Sequence, residues 1–129
     1  MHPRLERLDH VVLTVRSIEE TCRFYEDVLG MERVEFDGGR VALRFGDQKL
    51  NLHRAGHEFE PKATTPLPGS ADLCFTTTTP LEEVVLHLRE SGVAIVAGPV
   101  RKTGARRPLL SVYVRDPNGN LVEISNEVG

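Results

Sequence analysis

Tryptophan is absent from the sequence, and aromatic residues make up only 5% of it. Recognition by broad aromatic stacking therefore has few side chains to work with. Cysteine is nearly as scarce: Cys22 and Cys74 lie far apart and form no CxxC pair. No apolar run approaches the ~20 residues that a membrane-crossing helix needs. The N-terminal MHPRLERLDH also lacks the apolar segment of an export signal. The expectation is a cytoplasmic protein with reduced thiols and no membrane partner. A net charge of −3 gives no basic footprint for nucleic acid. The one basic stretch is Arg101, Lys102, Arg106 and Arg107, near Gly104. What remains is ordinary for a soluble globular chain: 129 residues, 40% hydrophobic and 27% charged, the size of one domain with a sizeable core.

The chain is written twice. LDHVVLTV at 8–15 and SADLCFTT at 70–77 align at a shift of 62, which sets His10 against Asp72. At the same shift Ser17 matches Thr79, and each opens a capping-box pattern, SIEE and TPLE, with Glu20 and Glu82 three residues on. Pro80 suits a first helical position. Gly30 and Gly92 match as helix stops. Between cap and stop, Ile18, Cys22, Tyr25 and Leu29 share one helix face, as do Leu81, Val84, Val85 and Leu88. Strand-like runs follow each helix: MERVEF, RVALRF and QKLNLHR, then VAIVA, LLSVYV and NLVEIS. The second copy carries a longer connection, GPVRKTGARRP, expected as a plain solvated loop, with a lid able to gather anions as the alternative. Because of it, Glu123 corresponds to Asn51. The spacing predicts an α+β fold of two pseudo-symmetric βαβββ modules, about 7–56 and 70–126. Residues 57–69 act as a Pro-rich linker, and the whole forms one domain with a cupped mixed sheet and outer helices.

Strand parity sorts the side chains onto two faces. One face is wholly apolar, as in Leu13 and Val15, Leu50 and Leu52, or Val122 and Ile124. The other gathers His10, Arg44, Asn51, His53, Asp72, Tyr113 and Glu123. Two readings fit such a face: an ordinary wetted sheet surface, or the lining of a small-molecule site.

LDH at the start, SIEETCRFYEDVLGM, FGDQKLNLH and the terminal DPNGNLVEISN resemble the vicinal-oxygen-chelate superfamily of glyoxalases, bleomycin-resistance proteins and dioxygenases. FGDQKLNLH, FEPKA and PGSADLC look most like the glyoxalase domain-containing protein 5 group. The resemblance implies a divalent metal held from the first and fourth strands of each module, positions occupied by His10, Asn51, Asp72 and Glu123. His10 and Glu123 match the family pattern, whereas Asp72 stands where a histidine is usual and Asn51 where a stronger ligand is common. His53, on the same face as Asn51, is an alternative second imidazole. One nitrogen with two carboxylates suits Mn²⁺, Fe²⁺ or Mg²⁺ better than a thiolate-type zinc site, with Ni²⁺ or Zn²⁺ not separated by the sequence.

The resulting expectations are a metal site of His10, Asp72 and Glu123, with Glu123 also catalytic. Arg44, Asn51, His53 and Tyr113 would contact substrate. The activity expected is a metal-dependent lyase, isomerase or dioxygenase acting on a small oxygen-rich, anionic compound. The alternative is a non-catalytic binder of the bleomycin-resistance type. A homodimer is expected from the resemblance alone.

Overall fold

Alternation in HVVLTV produces β1 (His10–Val15), whose apolar members Leu13 and Val15 are buried. Ser17 then starts α1 (Ile18–Asp27), its hydroxyl accepting from the Glu20 amide at 3.1 Å. The helix buries Thr21, Cys22 and Tyr25 against β2, β3 and β4. Gly30, at φ +69°, takes the left-handed turn that ends it. β2 (Glu32–Phe36), β3 (Arg40–Phe45) and β4 (Gln48–Arg54) complete a four-stranded sheet in the order β1-β4-β3-β2. β1 runs parallel to β4 and the other pairs are antiparallel.

The computed structural model describes all residues, 1–129, as two compact units, Met1–Leu67 and Pro68–Gly129. The second repeats the first: β5 (Asp72–Thr76), α2 (Leu81–Glu90), β6 (Ala97–Thr103), β7 (Pro108–Arg115) and β8 (Leu121–Glu127), ordered β5-β8-β7-β6. This is the α+β, twofold βαβββ architecture expected from the sequence; the strands form two four-stranded mixed sheets, one per module, where a single cupped sheet was expected. In each module the helix-side face of the sheet is the core. Leu43, Leu50 and Leu52 are buried in the first, and Val112, Val114 and Val122 in the second. Each such side chain contributes roughly 1.5–3 kcal/mol relative to exposure.

Registers confirm the internal correspondence. Val12 pairs with Asn51 and Cys74 with Glu123; Ala42 pairs with Asn51 and Tyr113 with Glu123. Asn51 and Glu123 therefore occupy the same place in their sheets, as do His10 and Asp72.

Two local expectations are corrected. The sixth strand is not VAIVA but Ala97–Thr103, inside the segment expected as a loop; residues 93–96 carry no strand. β6 is an exposed edge with a register irregularity between Ala97 and Val100, where Gly98 lies flat on β7. A Cβ there would come within 2.3 Å of the Ser111 carbonyl oxygen. Nor does Thr79 cap α2. The cap residue is Pro80, which has no side-chain donor or acceptor, and Asn126 of β8 takes over the role. Its carbonyl accepts from Leu81 N at 2.8 Å, and its amide donates to the Thr77 and Thr79 carbonyls at 2.9 and 2.8 Å.

Candidate functional site

In the second module the side chains facing away from α2 enclose a cleft of about 600 Å³, lined by Cys74, Lys102, Arg106, Tyr113, Glu123 and Glu127 among others. Glu123 is its hub. Ser111, fully buried, donates to Glu123 Oε2 at 2.6 Å, and Ser125, also buried, donates to the same oxygen at 3.3 Å. The two hydroxyls are 2.6 Å apart. Tyr113, the register partner of Glu123, hydrogen-bonds the same carboxylate. Burial first, and then that bond, push the Tyr113 phenol up to about 12. Tyr113 therefore holds its proton at any physiological pH and has it to donate. Cys74 stands 3.4 Å from the Ser125 hydroxyl, and burial raises its thiol above the ordinary range. A carboxylate accepting from several hydroxyls is fixed in orientation before any ligand arrives.

Arg106 is engaged with Glu127 at 2.7 and 2.9 Å, on the rim of the cleft. Lys102 lies with its ammonium 5.7 Å from the Tyr113 ring centroid. The basic stretch is thus not a free lid: Arg101 and Lys102 belong to β6, and Arg106 and Arg107 to the hairpin that joins it to β7. Asp72 begins β5 and is exposed.

The first module places His10, Asn51 and His53 on one sheet face, as parity required. His10 sets Nδ1 2.9 Å from Asp9 Oδ2, which leaves Nε2 as the nitrogen available to a ligand. Carboxylate support of this kind orients metal-binding imidazoles. His53 is buried, with Nε2 3.3 Å from the Arg40 guanidinium. Burial, followed by the Arg40 charge, lowers its pKa below 6.5, so the ring is neutral and Nε2 accepts from Arg40. Arg44, expected to meet substrate, instead forms an ion pair with Glu32 of the neighbouring strand.

The duplication explains a further feature. Glu123 is served by hydroxyls from Tyr113 and Ser111. The corresponding positions around Asn51 hold Ala42, which has no donor, and Arg40, which turns to His53. The Asn51 side-chain oxygen, buried at 6% exposure, is consequently left with no hydrogen-bond partner. Sequence reading reached Asn51, His53, Tyr113 and Glu123. It missed Ser111, Ser125 and Arg40, although their even spacing from Tyr113, Glu123 and Ala42 marks the same face.

Nowhere in the chain are three His, Cys, Asp or Glu side chains gathered into a metal-binding cluster. In donor chemistry the second module offers two carboxylates on one sheet face, Asp72 and the hydroxyl-supported Glu123, groups of the kind a hard divalent ion takes.

Residues 7–124 match the family described as the Glyoxalase/Bleomycin resistance protein/Dioxygenase superfamily, without resolving a subgroup. Virulence protein STM3117 of Salmonella typhimurium is 56% identical over 96% of this chain and 86% of its own length. Glyoxalase domain-containing protein RDO1 of Mycosarcoma maydis is 52% identical over 92% of this chain and 67% of its own. The crystal structure of the Salmonella protein superposes with a TM-score of 0.97 at 55% identity, over 98% of this chain and all of that one. An integron cassette protein from the mobile metagenome of V. cholerae gives 0.95 at 52%, over 98% of each chain. A match spanning nearly the whole sequence, on a twofold βαβββ frame, is decisive: the chain belongs to the Glyoxalase/Bleomycin resistance protein/Dioxygenase superfamily.

Proposed function

We propose that the protein is a metal-dependent enzyme of the lyase, isomerase or dioxygenase type, acting on a small oxygen-rich compound. His10, Asp72 and Glu123 are the proposed donors to the ion. When bound, a divalent ion supplies Lewis-acid polarisation of adjacent substrate oxygens. The chain's own residues do the rest. Glu123, steadied through Oε2 by Ser111 and Ser125, presents its carboxylate in one orientation and can accept a proton from substrate. Tyr113 keeps its phenolic proton, bonded to Glu123 at rest, and can turn it from that carboxylate to a substrate oxygen that gains charge. The pre-oriented Glu123 carboxylate inside a cleft is the observation that carries this reading, because a mere surface glutamate has no need of three hydroxyl partners.

Metal analysis of the purified protein beside His10→Ala and Glu123→Gln tests it. The reading expects close to one equivalent in the wild type after reconstitution with Mn²⁺, Fe²⁺ or Ni²⁺, and loss in both variants. Less than a tenth of an equivalent, with no uptake in titration, would support the second reading: a non-catalytic small-molecule binder of the bleomycin-resistance type, for which the same cleft serves without an ion. No helix is long and apolar enough to cross a membrane. Cytoplasmic placement and a homodimer are part of the proposal, the latter checked by light scattering.

A further inference from the structure

The faces of the two sheets turned away from their helices differ in charge. On the second, carboxylates of Asp72 and Glu123 dominate; on the first, Arg40, Arg44 and Lys49 stand against Glu32 alone. Glu32 is taken by Arg44. Arg40 and Lys49 are left without an ion pair, and both rest on aromatic rings. The Arg40 guanidinium lies 5.1 Å from the Phe36 centroid and 4.6 Å from that of Phe59; the Lys49 ammonium lies 3.8 Å from Phe36. The carboxylates nearby have other partners. Asp9 holds His10, Glu60 holds Lys62, and Glu58 accepts from the Gly56 amide at 2.6 Å.

Register shows how the cluster is built. Lys49 and Phe36 lie on β4 and β2, on either side of β3, and their side chains meet over Ala42, a small, fully buried residue midway between them. Beside Ala42 is Asn51, whose buried oxygen lacks a donor. Arg40 spends one N–H on His53 and has others to give. Stacked arginine is held as a rigid fork suited to carboxylate or phosphate. The face thus combines two unpaired cations with one unpaired acceptor.

We propose that Arg40, Lys49 and Asn51 form an oxyanion subsite that takes a carboxylate or phosphoryl group carrying an adjacent hydroxyl. The charged oxygens bind the two cations, and the hydroxyl donates to Asn51 Oδ1. The subsite deepens the reading above by naming the substrate class, a hydroxylated oxyanion, yet its test needs no metal.

The ¹⁵N-labelled full chain in excess EDTA is titrated at constant ionic strength with acetate, glycolate and inorganic phosphate, following amide shifts in β3 and β4. Saturable binding is expected, with glycolate several-fold tighter than acetate; phosphate against acetate reports which oxyanion is preferred. Arg40→Gln weakens every probe at least tenfold and Lys49→Gln several-fold, while Asn51→Ala removes only the glycolate preference. Arg40→Lys, which keeps charge without the planar fork, falls between. Absence of saturable shifts overturns the proposal, as does binding insensitive to Arg40→Gln and Lys49→Gln. Equal loss on replacing the exposed Arg23 of α1 by Gln overturns it too, since that outcome reports net charge alone. Because EDTA is present throughout, failure here is distinct from failure of the metal reading.

Discussion

Replacing Ser111 with alanine removes a buried hydroxyl that donates to Glu123 Oε2 at 2.6 Å. Hydrogen bonds to a charged partner contribute about 1.5–3 kcal/mol, against about 1 kcal/mol for neutral pairs. The Ser125 contact with the same oxygen, at 3.3 Å, is too long to take over the lost bond. Ser111→Ala should therefore lower stability by about 2 kcal/mol at pH 7. In a Glu123→Gln background the partner is neutral, and the same substitution should cost about 1 kcal/mol. The predicted coupling between the two sites is thus about 1 kcal/mol, above the ~0.3–0.5 kcal/mol scatter of independent positions. Urea denaturation of wild type, both single variants and the double variant measures it. Additivity within that scatter would refute the claim that Ser111 acts on the Glu123 charge.

Tyrosinate absorbance should show Tyr113 titrating near pH 12, returning toward 10 in Glu123→Gln. Since its pKa is raised on folding, the associated stability is complete below about pH 10 and is lost between there and 12, visible as a falling midpoint in alkaline melts. His53 has the opposite sign: its lowered pKa means stability falls as pH drops below 6.5, and an Arg40→Gln variant, which removes one of the groups that lower it, should make that loss smaller. Asn126→Ala leaves the Leu81 amide and the Thr77 and Thr79 carbonyls without their partner and should cost about 1–2 kcal/mol in thermal or urea unfolding. Gly98→Ala drives a Cβ against the Ser111 carbonyl and should destabilise by more than a typical surface change, with disturbed amide shifts at Ser111.

The repeated frame was readable because its signals are local. Alternation in HVVLTV, the Ser17 cap and the glycines at 30 and 92 each act within a few residues. β6 was not, because an edge strand has one pairing partner and solvent on both faces. Ala97–Thr103 is exposed throughout and so shows no apolar alternation, and it carries a glycine and a proline that read as loop. The apolar VAIVA drew the strand assignment instead. Asn126 capping α2 depends on a residue 45 positions away, which no local pattern encodes. Parity did place Asn51, His53, Tyr113 and Glu123 on the correct faces. It could not show that Glu32 captures Arg44, nor that Arg40 and Lys49 are the cations left over, since those outcomes follow from cross-strand register.

The proposed role of the Glu123 carboxylate, oriented by its neighbours, is to bind an ion. A Mn²⁺ titration followed by electron paramagnetic resonance, on wild type, Glu123→Gln and Ser111→Ala, tests it most directly. One tight site is predicted in the wild type, lost with Glu123→Gln and weakened roughly 10–100-fold by Ser111→Ala, the usual effect of removing a group that orients a ligand. Equal Mn²⁺ affinity in all three proteins, or none in the wild type, would contradict it.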